Sequence, residues 1–164
     1  MKSKHPIIFV MGVSGSGKST IGKLLAKELN LGFYDGDDYH PEANVKKMAE
    51  GNPLDDSDRQ GWLERLNLLA IEKSDTGAVI ACSALKNKYR TILQNGLDKE
   101  LQFVYLKGTF DEIMERLSQR KNHFMPPELL HSQFNTLEVP KEAITVSIMQ
   151  TPEEIVAKII GDLN

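Results

Sequence analysis

The sequence predicts an α/β domain in which a five-stranded parallel sheet is covered by helices on both faces. Five short apolar, β-prone segments alternate with helical patterns along the 164 residues. A glycine-rich loop joins the first of these strands to the first helix. Right-handed crossovers then place the strands parallel in one sheet and bury both of its faces. The predicted strands are residues 7–11, 31–34, 77–82, 101–106 and 143–147.

Composition is that of an ordinary globular domain. Apolar residues make up 40% and charged residues 26% of a length that suits one domain over 1–164. The net charge of −3 gives no basic field for nucleic acid or an anionic membrane. The single cysteine, Cys82, excludes an internal disulfide, and no apolar run approaches the ~20 residues of a membrane span. Because residues 1–5 are polar and no signal peptide follows, we expect a cytoplasmic protein.

The loop after the first strand fits G-x-x-x-x-G-K-[ST], the phosphate-binding P-loop. It is Gly12-Val13-Ser14-Gly15-Ser16-Gly17-Lys18-Ser19, and the predicted helix runs from Thr20. Glycines let backbone N–H groups approach a phosphate, and the helix N-terminus adds a positive dipole end. We expect this whole stretch, through Thr20, to bind a nucleoside triphosphate. Lys18 should reach the β- and γ-phosphates, and Ser19 should bind Mg²⁺ through its hydroxyl.

Three carboxylates follow the second predicted strand in the turn Asp35-Gly36-Asp37-Asp38. The carboxyl ends of strands in an open α/β sheet face the ligand crevice, so this turn should lie beside the P-loop. Its charge would repel a nucleotide unless a cation or a bound hydroxyl group compensates. We therefore expect coordination of Mg²⁺ or hydrogen bonding to a polyol. The alternative is an acidic turn that only bends at Gly36.

Two helices are predicted before the third strand. Pro41 opens the first, and Asp55 caps the second, which runs to about Ser74. Arg59 lies in the first turn of the second helix, where a cation opposes the helix dipole, so it is a candidate to bind an anionic ligand. The alternative is a surface arginine that pairs with Asp55 or Asp56. The inward-facing residues of this helix are Trp62, Leu63, Leu66 and Leu69.

The third predicted strand ends without the aspartate that many P-loop ATPases place there. The metal ligands should therefore be Ser19 and the acidic turn. Cys82, at this strand end, is interpreted as a small buried residue rather than a nucleophile. Lys86 and Arg90 open the next helix, and two cations just beyond a strand end could hold a carboxylate or a phosphate. The alternative is an ordinary solvated helix face.

The helix after the fourth strand begins with a capping box between Thr109 and Glu112. It is predicted to end in basic residues that include Arg116 and Arg120. These two are four residues apart, so they share a helix face and can reach one anion. The alternative is that they only stabilise the negative end of the helix dipole. A second capping box, at Thr151, opens the last helix.

Residues 120–136 are a candidate mobile lid that closes over bound substrates and excludes water. A helix is predicted to begin at Pro126 and Pro127. His123 and Gln133 are the candidate polar site residues of this segment, although a lone histidine is more often structural.

Several segments, taken with the P-loop, resemble the bacterial-type gluconate kinases over about residues 7–140. Two are much more specific than the P-loop: Cys82-Ser83-Ala84-Leu85-Lys86 and His123-Phe124-Met125-Pro126. The others are Asp35-Gly36-Asp37-Asp38-Tyr39-His40-Pro41, Lys47-Met48 with Gly51-Asn52-Pro53-Leu54, Asp58-Arg59 with Trp62-Leu63, Tyr89-Arg90, and Leu129-Leu130 with Ser132-Gln133-Phe134.

The resemblance implies a P-loop NTPase fold close to shikimate kinase and the nucleoside monophosphate kinases, with a mobile lid, in a homodimer. It implies phosphorylation of D-gluconate at its 6-hydroxyl with ATP and Mg²⁺. The product, 6-phosphogluconate, would enter the pentose phosphate and related sugar-acid pathways.

The resemblance also implies roles for individual residues. Asp35 would bind Mg²⁺, and Asp37 would orient the attacking hydroxyl and accept its proton. Arg116 and Arg120, with Lys18, would neutralise charge on the transferring phosphoryl group. The implied gluconate-binding residues are Asp37, Arg59, Lys86, Arg90, His123 and Gln133.

Two alternatives stay open on sequence alone. The first is another small-molecule kinase, for shikimate or a nucleoside monophosphate. The second is a nucleotide-binding regulatory NTPase that hydrolyses ATP without an acceptor, against which the acidic turn and the paired arginines argue.

Overall fold

The structure is a computed structural model that describes residues 6–97, 101–119 and 127–163. Its strands are β1 (Ile7–Met11), β2 (Gly32–Asp35), β3 (Ala78–Ala81), β4 (Leu101–Lys107) and β5 (Ile144–Ser147). They form one sheet in the order β2-β3-β1-β4-β5, and every neighbouring pair is parallel. All five predicted strands are confirmed, with small shifts at their ends.

The helices are α1 (Lys18–Leu29), α2 (Glu42–Ala49), α3 (Asp56–Glu72), α4 (Asn87–Gln94), α5 (Phe110–Ser118), α6 (Pro127–Thr136) and α7 (Pro152–Leu163). A short 3-10 helix over Gly36–Tyr39 forms the acidic turn. The N-cap predicted at Asp55 and the capping boxes predicted at Thr109 and Thr151 are all present. Because α5 ends at Ser118, the helix that was expected to carry Arg120 stops before it.

β1 is buried along its whole length because β3 and β4 flank it and helices cover both of its faces. All five of its side chains are 0% exposed. One face packs against Leu25 of α1, Ile113 of α5 and Ile159 of α7. The other packs against Leu66 of α3 and Leu93 of α4. This two-sided burial explains why the strand is continuously apolar and confirms the predicted helices on both faces.

The topology brings three loops to one edge of the sheet. Since the carboxyl ends of parallel strands share an edge, the P-loop after β1, the acidic turn after β2 and residues 82–86 after β3 border one crevice. The backbone joins two of these loops, because Gly12 N–H donates to the Ser83 carbonyl at 3.3 Å. Within the described ranges, no helix is long and apolar enough to cross a membrane.

Candidate active site

The P-loop forms the connection from β1 to α1, as predicted. Gly15 and Gly17 have φ values of +83° and +97°, a region that residues with a Cβ occupy at a cost. A Cβ at Gly15 would also lie 2.9 Å from the side chain of Leu117 in α5. Gly17 is the N-cap of α1, so the loop ends on the positive end of a helix dipole. This geometry is suited to an anionic phosphate group.

Lys18 begins α1 and folds its ammonium group back onto the loop. Its Nζ donates to the carbonyl oxygens of Gly12 and Val13, at 3.0 Å each. The positive charge therefore lies on the loop that is predicted to hold the phosphates. That position agrees with the predicted role of Lys18 at the β- and γ-phosphates, which stays a prediction.

Ser19 and Asp35, the two predicted metal ligands, lie side by side. Ser19 Oγ donates to Asp35 Oδ2 at 3.1 Å. The other carboxylate oxygen accepts the Asp37 N–H at 3.0 Å, which fixes the carboxylate at the start of the 3-10 helix. These are hard oxygen ligands that suit Mg²⁺, an ion that keeps several waters and binds substrate phosphates. The described residues hold no cluster of three or more His, Cys, Asp or Glu side chains for a closed metal cage.

Asp37 presents an exposed carboxylate in the acidic turn, with its side chain 84% exposed. His40 Nε2 lies 3.9 Å from that carboxylate, and its ring stacks on Trp62 with centroids 4.1 Å apart. Burial lowers the pKa of His40; the Asp37 charge opposes this shift and the Arg59 charge adds to it. Both charges therefore lie near this ring. The sequence does not mark His40 as a site residue, because its partner Trp62 is distant in the chain and no local spacing links the pair.

A cluster of charged side chains joins the start of α3 to the start of α4. Arg59 Nη1 donates to Tyr89 Oη at 3.0 Å, and its guanidinium carbon lies 5.4 Å from the ring centroid. Tyr89 in turn donates to Asp56, which also accepts hydrogen bonds from Lys88 and, at 3.2 Å, from Lys86. The bonds from Lys88, Tyr89 and Lys86 lower the pKa of the Asp56 carboxyl. Asp56 thus pairs with the two lysines, whereas Arg59 binds a phenol.

Arg90 lies inside the protein and is only 5% exposed. Its Nη1 donates to the Ala84 carbonyl at 2.7 Å and its Nη2 donates to the Glu138 carbonyl at 2.8 Å. Ala84 has a φ of +46°, an unfavourable conformation for alanine, so Arg90 holds a strained loop in place. Burial lowers the pKa of the guanidinium. These contacts are structural, and the expected binding of gluconate by Arg90 stays a prediction.

Arg116 reaches the P-loop from α5. Its Nη1 donates to the Ser16 carbonyl at 3.4 Å, and its Nη2 donates to the Ile148 carbonyl. A cavity of about 680 Å³ lies beside it, between α5 and residues 148–151. Arg116 thus connects the P-loop to a cavity that is large enough for the base and sugar of a nucleotide. The predicted partners Arg120 and His123 lie outside the described residues.

Gln133 joins α6 to the P-loop. Its Oε1 accepts the Ser14 N–H at 2.7 Å, and its Nε2 donates to Ser14 Oγ at 2.9 Å. The second part of the expected lid, 127–136, is therefore a helix bound to the P-loop, and 120–126 lie outside the described residues. Gln133 is a predicted site residue, but its contact with Ser14 is not predicted, since no local signal links residues that are 119 positions apart.

Comparisons with known proteins find relatives of this chain among small-molecule kinases. Residues 14–163 match the family described as shikimate kinase. A probable gluconokinase from Mus musculus is 48% identical over 178 residues, which cover 96% of this chain and 97% of the mouse protein. The thermoresistant gluconokinase of Escherichia coli (strain K12) is 44% identical, with 95% and 92% covered. The crystal structure of a gluconokinase from Sinorhizobium meliloti 1021 aligns with a TM-score of 0.90 at 38% identity, covering 99% of this chain and 93% of that one.

Proposed function

This chain belongs to the shikimate kinase family and, within it, to the gluconokinases, and we propose that it phosphorylates D-gluconate at the 6-hydroxyl with ATP. It is a phosphotransferase with the P-loop kinase fold that the sequence predicts. The observation that carries the proposal is the convergence of the P-loop, the Asp35–Asp37 turn and Arg59 at one edge of the sheet. These groups complement the phosphates, the polyol and the carboxylate of the reactants, respectively.

The nucleotide half of the site consists of residues 12–20 and the cavity beside Arg116. The P-loop and the N-terminus of α1 bind the phosphates, and the 680 Å³ cavity holds the base and sugar. Ser19 and Asp35 would hold Mg²⁺, which would supply positive charge to offset that of the phosphates. Lys18 and Arg116 add the cationic charge that phosphoryl transfer requires.

In the acceptor half, Asp37 orients the 6-hydroxyl of gluconate and accepts its proton. The hydroxyl oxygen forms a bond to the γ-phosphorus as the bond from that phosphorus to the β–γ bridging oxygen breaks. ADP leaves with the electron pair of the broken bond, and 6-phospho-D-gluconate is formed. Because this transfer asks for little covalent chemistry, positioning and charge stabilisation account for most of the catalysis.

Arg59 is the best placed of the three candidate cations to bind the gluconate carboxylate. Lys86 is already paired with Asp56 at 3.2 Å, and Arg90 binds two backbone carbonyls in the interior. Arg59 donates to the neutral phenol of Tyr89, and no carboxylate of the described residues lies within ion-pair distance of it. Its charge is therefore available to an anionic acceptor.

Three further parts of the proposal rest on the resemblance to gluconate kinases. Residues 1–164 act as a single kinase domain, with Arg120 and His123 among its site residues. The protein works as a homodimer in the cytoplasm. Light scattering on the purified chain tests the dimer.

A coupled kinase assay tests the function directly. Purified protein, ATP and Mg²⁺ are incubated in parallel with D-gluconate, shikimate, AMP or no acceptor, and ADP release is followed. We expect ADP release with gluconate only. Release with another acceptor would retain the phosphoryl chemistry and refute the substrate. Equal release in every sample would indicate a simple NTPase and would remove Asp37 and Arg59 from an acceptor site.

A further inference from the structure

We infer that Gln133 is a positioning residue of the P-loop that sets the affinity for nucleotide, rather than a ligand of the acceptor. Its side-chain amide makes two hydrogen bonds to Ser14: Oε1 accepts the backbone N–H at 2.7 Å and Nε2 donates to Oγ at 2.9 Å. Both polar atoms of the amide are therefore engaged by one residue of the loop. Two bonds between two partners define an orientation that a single bond would leave free.

Gln133 can act in this way because its helix is fixed in the core. Leu130, one turn earlier, is 0% exposed and belongs to the same apolar cluster as Ile113 and Leu117 of α5. His131 stacks on Phe110 of α5, with ring centroids 3.9 Å apart. The packing of α6 on α5 thus sets the position of Gln133 independently of the loop that it contacts.

The P-loop needs such support because it is rich in glycine. Gly15 and Gly17 take positive φ values, and glycine loses more conformational freedom on ordering than any other residue. The tip of the loop is held from two sides: Gly15 approaches Leu117 so closely that a Cβ would lie 2.9 Å from it, and Ser14 binds Gln133. When the loop is already ordered, nucleotide binding does not bear the entropic cost of ordering it, so the affinity for the nucleotide is higher.

This arrangement places a direct link between the nucleotide site and the two helices that flank residues 120–126. α5 contributes Leu117 and Arg116, and α6 contributes Gln133. Any substitution that loosens α6 should therefore weaken the phosphate site first. The inference rests on the proposed function only in that the bound ligand is ATP.

The test compares Gln133→Met, Ser14→Ala and the double variant. Methionine keeps the length of the side chain and suits a helix, but it makes neither hydrogen bond. Gln94→Leu is the matched control, because Gln94 is an exposed glutamine on α4, which packs on the opposite face of the sheet. Binding of ATP with Mg²⁺ is measured by calorimetry without any acceptor, and KM is measured for ATP and for gluconate.

We expect Gln133→Met to weaken ATP binding roughly 10-fold, as the loss of two neutral hydrogen bonds implies, and to raise KM for ATP in proportion. KM for gluconate should stay unchanged in Gln133→Met. In Gln94→Leu, KM for ATP and KM for gluconate should both stay unchanged. In the Gln133→Met background, Ser14→Ala should have little further effect, because the bond that it removes is already absent.

Wild-type ATP affinity in Gln133→Met together with a raised KM for gluconate would overturn the inference. If that variant does not fold, Ser14→Ala alone decides: about 3-fold weaker ATP binding supports the inference and unchanged binding refutes it. The binding arm needs no acceptor, so weaker ATP binding in a protein that does not phosphorylate gluconate would refute the proposed function and leave this inference standing.

Discussion

Replacing Arg90 by methionine should destabilise the fold strongly without a selective effect on gluconate. The substitution leaves the Ala84 and Glu138 carbonyls without the donors that now lie at 2.7 and 2.8 Å. Hydrogen bonds from a charged donor contribute about 1.5–3 kcal/mol each, so for two bonds we expect a loss of roughly 3–6 kcal/mol. At about 2–4 °C per kcal/mol for a chain of this size, Tm should fall by roughly 6–24 °C. Without the bond from Arg90, Ala84 can leave its strained conformation at φ +46°, so the loop after β3 should become less ordered.

Arg59→Met is the matched comparison, since it removes an arginine that makes one described hydrogen bond, to Tyr89 at 3.0 Å. The loss of this one hydrogen bond should lower the free energy of unfolding by about 1 kcal/mol, so Tm should fall by only a few degrees. A charge-assisted hydrogen bond to a carboxylate contributes about 1.5–3 kcal/mol. Its loss should therefore raise KM for gluconate by roughly 10- to 150-fold. The two variants therefore separate a structural arginine from a substrate-binding one.

Thermal unfolding and steady-state kinetics at a temperature where both variants are folded provide the measurements. Arg90→Lys serves as a control, because lysine keeps the charge but cannot reach two carbonyls with a planar fork, and its Tm should lie between those of the wild type and Arg90→Met. An Arg90→Met protein with the wild-type Tm and a selectively raised KM for gluconate would falsify this assignment and return Arg90 to the acceptor site.

Three further outcomes are expected. Asp35→Asn keeps an oxygen for the cap on the 3-10 helix but weakens the pair with Ser19, so the Mg²⁺ concentration for half-maximal activity should rise; an unchanged Mg²⁺ titration would contradict the metal site. Lys18→Met should lower kcat on the order of 100-fold with Tm preserved, and normal turnover would remove Lys18 from the transferring phosphate. His40 has a lowered pKa in the folded state because of burial, so the unfolded chain takes up a proton that the native protein does not, and stability should fall as pH drops below about 6.5. His40→Phe keeps the stack on Trp62 and should reduce this pH dependence of the free energy of unfolding in urea; equal slopes in both proteins would refute the explanation.

Elements that depend on near neighbours in the chain could be predicted from the sequence. The five residues of β1 are all apolar because both faces of a central parallel strand are buried, and this pattern is visible without a structure. The capping box at Asp55 joins residues three apart, and its partner Asp58 is found by counting. The P-loop was identified for the same reason, since strand, glycines and helix are contiguous.

Partners that come together only in the fold could not be predicted in this way. Because Lys86 and Arg90 both follow β3, the sequence predicts that the two cations can bind one anionic ligand. In the structure, Arg90 turns into the core and Lys86 is paired with Asp56, from a different helix. Sequence patterns also did not reveal that Tyr89 binds Arg59 or that His40 stacks on Trp62.

The sequence by itself determined the kinds of chemical group available: a phosphate loop, carboxylates for a metal and a hydroxyl, and an excess of cations near the strand ends. It did so because local spacing decides secondary structure and because each side chain has a fixed charge and hydrogen-bonding capacity. Only the tertiary structure decided which groups remain available to a substrate. A cation that a distant carbonyl or carboxylate already binds, as with Arg90 and Lys86, has less of its charge available to an anionic ligand, and Gln133 contacts Ser14, 119 residues away.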